Sequence, residues 1–207
     1  MTTAWTVVIP VKDPARGKSR LDVPGVDRAA LARAIALDTI AAAARCALVE
    51  RVVVVGDDHG LALDSPRVEF VSEGDARGLD AAVATGAGPF ERMPRAALLG
   101  DLPALRPDDL ASALERAASS DRAVVADAEG TGSTLVTAAA EVAWTTAFGD
   151  GSFARHVALG CVALGIPEGS TLRRDVDTAE QLRAARALGL GPHTSDVLAA
   201  LAADARH

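Results

Sequence analysis

The residues best able to do chemistry are acids placed where apolar runs end. Asp101 stands in Gly100-Asp101-Leu102-Pro103-Ala104-Leu105, directly after the run Ala96 to Gly100, with Pro103 fixing the turn behind it. Asp175 and Asp177 stand in Arg173-Arg174-Asp175-Val176-Asp177-Thr178, just before a helix that either Asp177 or Thr178 is suited to cap. If Asp101 and Asp175 converge, two carboxylates about 4 Å apart repel by about 4 kcal/mol at an effective dielectric near 20, and a divalent cation relieves that. Magnesium suits so sparse a set, because it completes its shell with water and phosphate oxygens. Spacing alone leaves open the alternative that the two acids are surface caps that never meet.

Three other loops have the composition to hold anions. Lys12-Asp13-Pro14-Ala15-Arg16-Gly17-Lys18-Ser19-Arg20-Leu21 places the four cations Lys12, Arg16, Lys18 and Arg20 within nine residues, immediately after a buried strand. Gly17-Lys18-Ser19 matches the end of a P-loop, but Lys12 occupies the required glycine position and Pro24-Gly25 prevents a helix from starting at Ser19, so this is not one. A solvated basic loop is the plain alternative. Gly130-Thr131-Gly132-Ser133-Thr134 is small and hydroxylated, and lets a ligand approach its backbone. In Phe148-Gly149-Asp150-Gly151-Ser152-Phe153-Ala154-Arg155-His156, Ser152 reads as a helix N-cap that turns free amides toward an anion. Arg155 and His156 fall in that helix's first turn, where an isolated histidine reads as a surface residue. Taken singly, each loop also fits an ordinary turn and cap.

The elements that must position these loops alternate. Trp5 to Val11 reads as a buried strand, followed by a helix from about Arg28 to Ala47 with Asp27 as N-cap. Arg51 to Gly56, with four consecutive valines, is a strand buried on both faces, and Val68 to Val71 is a shorter one. Gly78 to Thr85 starts another helix, Ala96 to Gly100 another strand, and Pro107 and Asp108 open a helix through about Ala118. Ala123 to Ala126 and Thr134 to Thr137 are further strands, an Asp177-initiated helix runs to Leu188, and Gly189 to Ser195 breaks the chain before a last short helix. Such alternation predicts an α/β fold of three layers with helices on both faces of the sheet, and ligands beyond the carboxyl ends of the strands.

Composition bounds the partners. The 207 residues are 49% hydrophobic, enough for one domain spanning 1–207 with its own core. A net charge of −7 is the opposite of a nucleic-acid footprint. Cys46 and Cys161 lack metal-ligand spacing and read as reduced, buried hydrophobes. No signal segment or apolar span is visible, which predicts a cytoplasmic protein without a membrane partner.

Taken together in chain order, the Lys12 to Leu21 loop, Gly100 to Leu105, Gly130 to Ser133, Gly149 to Ser152 with Ala154-Arg155-His156, and Asp175-Val176-Asp177-Thr178 resemble the phosphoenolpyruvate or 2-phospho-L-lactate guanylyltransferase family of deazaflavin coenzyme (factor 420) biosynthesis. The resemblance implies a mostly parallel mixed sheet of the nucleotidyltransferase, glycosyltransferase-A-like, type. It implies that a phosphate oxygen of the phosphorylated acid attacks the α-phosphorus of GTP and pyrophosphate leaves, with Mg2+ held at Asp101 and Asp175. Asp177 remains divided between metal and helix cap. The phosphorylated acid would sit at Ser133, Gly149 and Ser152, with Thr134 an alternative to Ser133 one residue on. Lys12, Lys18 and Arg20 would neutralise the triphosphate, and Gly78 and Asp80 would lie near the nucleotide, Asp80 standing where relatives carry asparagine. Related enzymes acting on a sugar phosphate or molybdopterin, and a non-catalytic nucleotide-binding homologue, are the rival readings.

Overall fold

The computed structural model describes residues 4–11, 20–56, 61, 63, 65–74 and 77–204. Seven strands, β1 (Trp5–Pro10), β2 (Val49–Val55), β3 (Val68–Val71), β4 (Arg95–Leu98), β5 (Arg122–Ala126), β6 (Ser133–Ala138) and β7 (Val162–Ala163), form one sheet in the order β3-β2-β1-β4-β6-β5-β7. Only β6 runs against the rest, pairing antiparallel with both β4 and β5, so the sheet is mixed and mostly parallel. Parallel strands joined by crossovers are covered on both faces, which is why β1 is buried at every position and Val52 to Val55 of β2 are all apolar.

Among the described residues there are six α-helices, α1 (Arg28–Arg45), α2 (Leu79–Ala87), α3 (Pro107–Ala117), α4 (Ser152–Ala158), α5 (Ala179–Leu188) and α6 (Pro192–Asp204), of which α1 to α4 cover the sheet and α5 and α6 pack on α1. Strand alternation sorts their partners. Val7 and Ile9 of β1 pack with Ala36 and Ile40 of α1 and Leu110 and Leu114 of α3, whereas Val8 points the other way, into Ala82 and Ala87 of α2. Phe153 of α4 covers Val124 and Val136 on that second face. Leu31 and Ile35 of α1 join Leu182 and Ala185 of α5, with Val197 and Leu198 of α6 packed against them.

Several boundaries shift from the sequence expectation. The first helix ends at Arg45 because Cys46 turns extended (φ −64°, ψ 130°). The helix expected from Asp177 starts at Ala179, since Thr178 caps it. The last helix is a full 13 residues, because a tie from α1 described below starts it at Pro192. The short edge strand β7 carries no alternating signal and was not legible. Among the described residues no helix is long and apolar enough to cross a membrane, and both cysteines are free and buried.

Candidate active site

Two ties bring the acids together. Thr39 of α1 donates its hydroxyl to the carbonyl of Ile35 (3.0 Å) and accepts from the amide of Leu102 (3.0 Å), fixing the loop that leaves β4. The amide of Val176 then donates to the carbonyl of Asp101 at 3.0 Å, stitching the later loop to the first. With Val176 buried between α1 and α5, its neighbours Asp175 and Asp177 face the cavity that Asp101 enters, a space of about 490 Å³ beyond the carboxyl ends of the parallel strands. One carboxylate oxygen from each of Asp101, Asp175 and Asp177 lies within 4.8 Å of the others. The cap of α5 is Thr178, which accepts from the Gln181 amide (3.2 Å) while the Gln181 side chain accepts from the Thr178 amide (3.1 Å), so the Asp177 carboxylate is not consumed as a cap.

Asp175 is the electrostatic focus. Its Oδ1 is buried and has no hydrogen-bond partner. Burial first, then the charges of Asp101, Asp127, Asp177 and Glu129, push its pKa up to about 8. Near neutral pH it therefore holds a proton unless a cation replaces it. Three hard oxygen donors, one of them buried and unpartnered, fit a divalent cation that takes its remaining ligands from water or phosphate.

Sequence reasoning passed over Asp127, which also lines the cavity and with Glu129 and Asp175 forms a second set of oxygens within 4.8 Å. The signal was available, an acid directly after a strand as at Asp101. Its carboxylate accepts from the amides of Thr131 (2.9 Å) and Gly132 (2.7 Å), which closes the β5–β6 turn.

The rest of the lining is small and hydroxylated, with Asp150 as a further acid between Gly149 and Gly151. Ser133, Gly149 and Ser152 line the cavity. Thr134 does not: the next residue of a strand points to the other face, and its side chain is fully buried there with Oγ1 unpartnered. Gly149 adopts φ +108°, a conformation that favours glycine. Ser152 is not the N-cap of α4; Gly151, left-handed at φ 67°, is, and the Ser152 hydroxyl instead bonds Ser133 Oγ at 3.2 Å. The surface placement expected of His156 is also overturned, because it is 0% exposed. Both ring nitrogens are satisfied, Nδ1 by Ser133 Oγ (3.0 Å) and Nε2 by the amide of Ala147 (2.9 Å), and the Phe148 ring packs edge-on at 5.0 Å. Burial holds the imidazole pKa below its ordinary value, opposed by the Asp80 charge and reinforced by Arg155.

The remaining candidates divide. Gly78 caps α2 at φ 87° and bounds a small recess that shares Pro10, Val11 and Leu79 with the main cavity. Asp80 Oδ1 accepts from the amide of Phe148 at 3.0 Å, so it grips the loop that carries Gly149. Arg20 is exposed and is not on the cavity wall. Lys12 and Lys18 lie outside the described residues.

The family described as "Guanylyl transferase CofC like" matches residues 5–205. A phosphoenolpyruvate guanylyltransferase from Thermomonospora curvata is 46% identical, with 96% of this chain and 90% of that protein covered. One of the same name from Streptomyces coelicolor is 45% identical over 95% of this chain and 97% of its own. Among solved structures, 4-diphosphocytidyl-2C-methyl-D-erythritol synthase from Anaerococcus prevotii has a TM-score of 0.60 at 9% identity, covering 89% of this chain and 95% of that one, a likeness of fold.

Proposed function

This chain belongs to the CofC-like guanylyl transferase family, and from that premise we propose that it transfers GMP from GTP to phosphoenolpyruvate, releasing pyrophosphate, in biosynthesis of the deazaflavin coenzyme factor 420. The observation that carries the reading is one cavity lined both by the clustered acids Asp101, Asp175 and Asp177 and by Ser133, Gly149 and Ser152. The acids suit a cation that bridges to phosphate, and the hydroxyl and glycine wall suits the oxygens of a small phosphorylated acid.

Asp101, Asp175 and Asp177 would hold magnesium, which when bound neutralises charge on the α-phosphate. The hydrogen-bonded pair Ser133 and Ser152 would donate a hydrogen bond to the acid and help fix its phosphate in line with the α-phosphorus. A new bond forms from that phosphate oxygen to the α-phosphorus, the α–β bridging bond breaks, and the electron pair leaves with pyrophosphate. The attacking phosphate is already anionic near pH 7, so positioning and charge neutralisation account for the catalysis without a protein nucleophile or base. Lys12 and Lys18, with the exposed Arg20 outside the cavity wall, would neutralise the triphosphate, Gly78 would border the nucleotide, and Asp80 would brace the Gly149 loop beside it. We place the enzyme in the cytoplasm as one domain over residues 1–207, acting on small molecules rather than nucleic acid or membrane.

Pyrophosphate release with Mg2+, each of the four nucleoside triphosphates, and phosphoenolpyruvate, 2-phospho-L-lactate or 3-phosphoglycerate tests this directly. Release with GTP and phosphoenolpyruvate, with the guanylylated acid seen by mass spectrometry at a single turnover, is the expected result. Release only with another acceptor, or none from folded protein, would overturn it.

A further inference from the structure

Ser133, Ser152 and His156 form a closed set whose hydrogen-bond directions can be counted. The Ala147 amide can only donate, so His156 Nε2 must be the accepting nitrogen (2.9 Å). A neutral imidazole carries one proton, which therefore sits on Nδ1 and is donated to Ser133 Oγ (3.0 Å). Ser133 and Ser152 share one hydrogen bond between their hydroxyls (3.2 Å). Two hydroxyl protons are present and only one is used between them. Among the described residues no acceptor takes the other, and both residues, though largely buried, line the cavity.

We infer that His156 is a positioning residue that polarises the Ser133–Ser152 pair toward the cavity, so that the pair presents one O–H donor to an ionised oxygen of the acceptor acid. The direction of the bond between the two serines does not alter this, because with Nδ1–H donating inward one proton is always left for the ligand. The arrangement selects an acceptor-only group, carboxylate or phosphate, at that point. Were the ring in its other tautomer, Nε2–H would confront the Ala147 N–H, and the backbone leading to Gly149 would be pushed off the wall. Only the identification of the anion with phosphoenolpyruvate rests on the function proposed above.

Histidine-selective 15N labelling reads the tautomer without any turnover, the His156 signals being assigned by their loss in His156→Gln. A protonated Nδ1 and a bare Nε2 at neutral pH is the expected spectrum; the reverse tautomer or an imidazolium would overturn the inference. Kinetics give the second arm. An asparagine amide reaches the Nδ1 position and can still donate to Ser133, whereas a glutamine amide reaches the Nε2 position and loses that bond. His156→Gln should raise KM for phosphoenolpyruvate about tenfold, the effect of one hydrogen bond to a charged group, with KM for GTP within twofold of wild type, and His156→Asn should restore most of the loss. Equal damage to both KM values, or no rescue by asparagine, would reduce His156 to a packing residue. If wild-type protein transfers no GMP, the proposed function fails while the ring spectrum still decides the relay.

Discussion

Asp101 and Asp80 separate two roles that side chains of the same type play in this cavity. The Asp101 backbone carbonyl, which takes the Val176 bond, survives any side-chain change, so Asp101→Asn should fold as wild type. Its carboxylate is one of three grouped oxygens, and loss of a cation ligand worth several kcal/mol predicts a fall in kcat of about a thousandfold. Wild-type turnover in Asp101→Asn, with magnesium subsaturating, would remove Asp101 from the metal set. Asp80 acts through the chain instead, holding the Phe148 amide. Asp80→Ala should therefore raise KM for phosphoenolpyruvate several-fold and leave KM for GTP less affected, while Asp80→Asn, which keeps an accepting oxygen, stays near wild type. Initial rates against each substrate check this, and a defect confined to GTP would return Asp80 to the nucleotide. Asp101, Asp175 and Asp177 were legible because each follows an apolar run or precedes a helix. His156 was not, because its burial depends on Ser133, 23 residues away, and on an amide in a loop without a periodic signal.

The elements hold the cavity by caps contributed across the fold. Asp38, nearly fully buried in α1, accepts from the amides of His193 (3.0 Å) and Thr194 (2.8 Å) and so starts α6 from another helix. The Gly191 amide donates to the Pro103 carbonyl at 2.8 Å, so the same junction leans on the loop that carries Asp101. Local sequence shows only Pro192 as a starting signal, which is why the helix reads as shorter than it is. Removing the carboxylate strands the buried Thr194 amide and the half-buried His193 amide, each at about 1–3 kcal/mol, so Asp38→Ala should lower stability by about 2 kcal/mol or more. Hydrogen exchange over 192–204 should accelerate more than over α1. Uniform acceleration across the protein would mean that α6 does not open as a separate unit.

At the scale of the whole molecule, the sequence made the alternation of strand and helix plain but not the strand order, because the reversal of β6 between β4 and β5 is set by the turn that Asp127 closes and by pairing across the sheet. That reversal brings the start of β6 beside the exit of β4, with the Leu99 amide on the Thr134 carbonyl (3.0 Å), and so sets Ser133 on the lining of the cavity that holds the acids. Gathering like charges at one sheet edge has a price in stability, and its pH dependence has a definite sign. Asp175 holds its proton up to about pH 8 in the folded protein and releases it near pH 4 when unfolded, so between those values the folded state binds more protons. Stability without metal must therefore fall as pH rises through that window, by an amount on the order of a few kcal/mol. In the same window a cation displaces that proton, so apparent magnesium affinity should rise with pH and binding should release protons. Thermal unfolding in chelator between pH 5 and 8.5 should show Tm declining by several degrees, and saturating Mg2+ should recover most of the loss at the alkaline end. The dependence should vanish in Asp175→Asn, which carries no titratable carboxyl. A Tm in chelator that rises across this range would show that Asp175 is ionised in the folded protein and that the acids are held apart or already neutralised by cations of the chain itself.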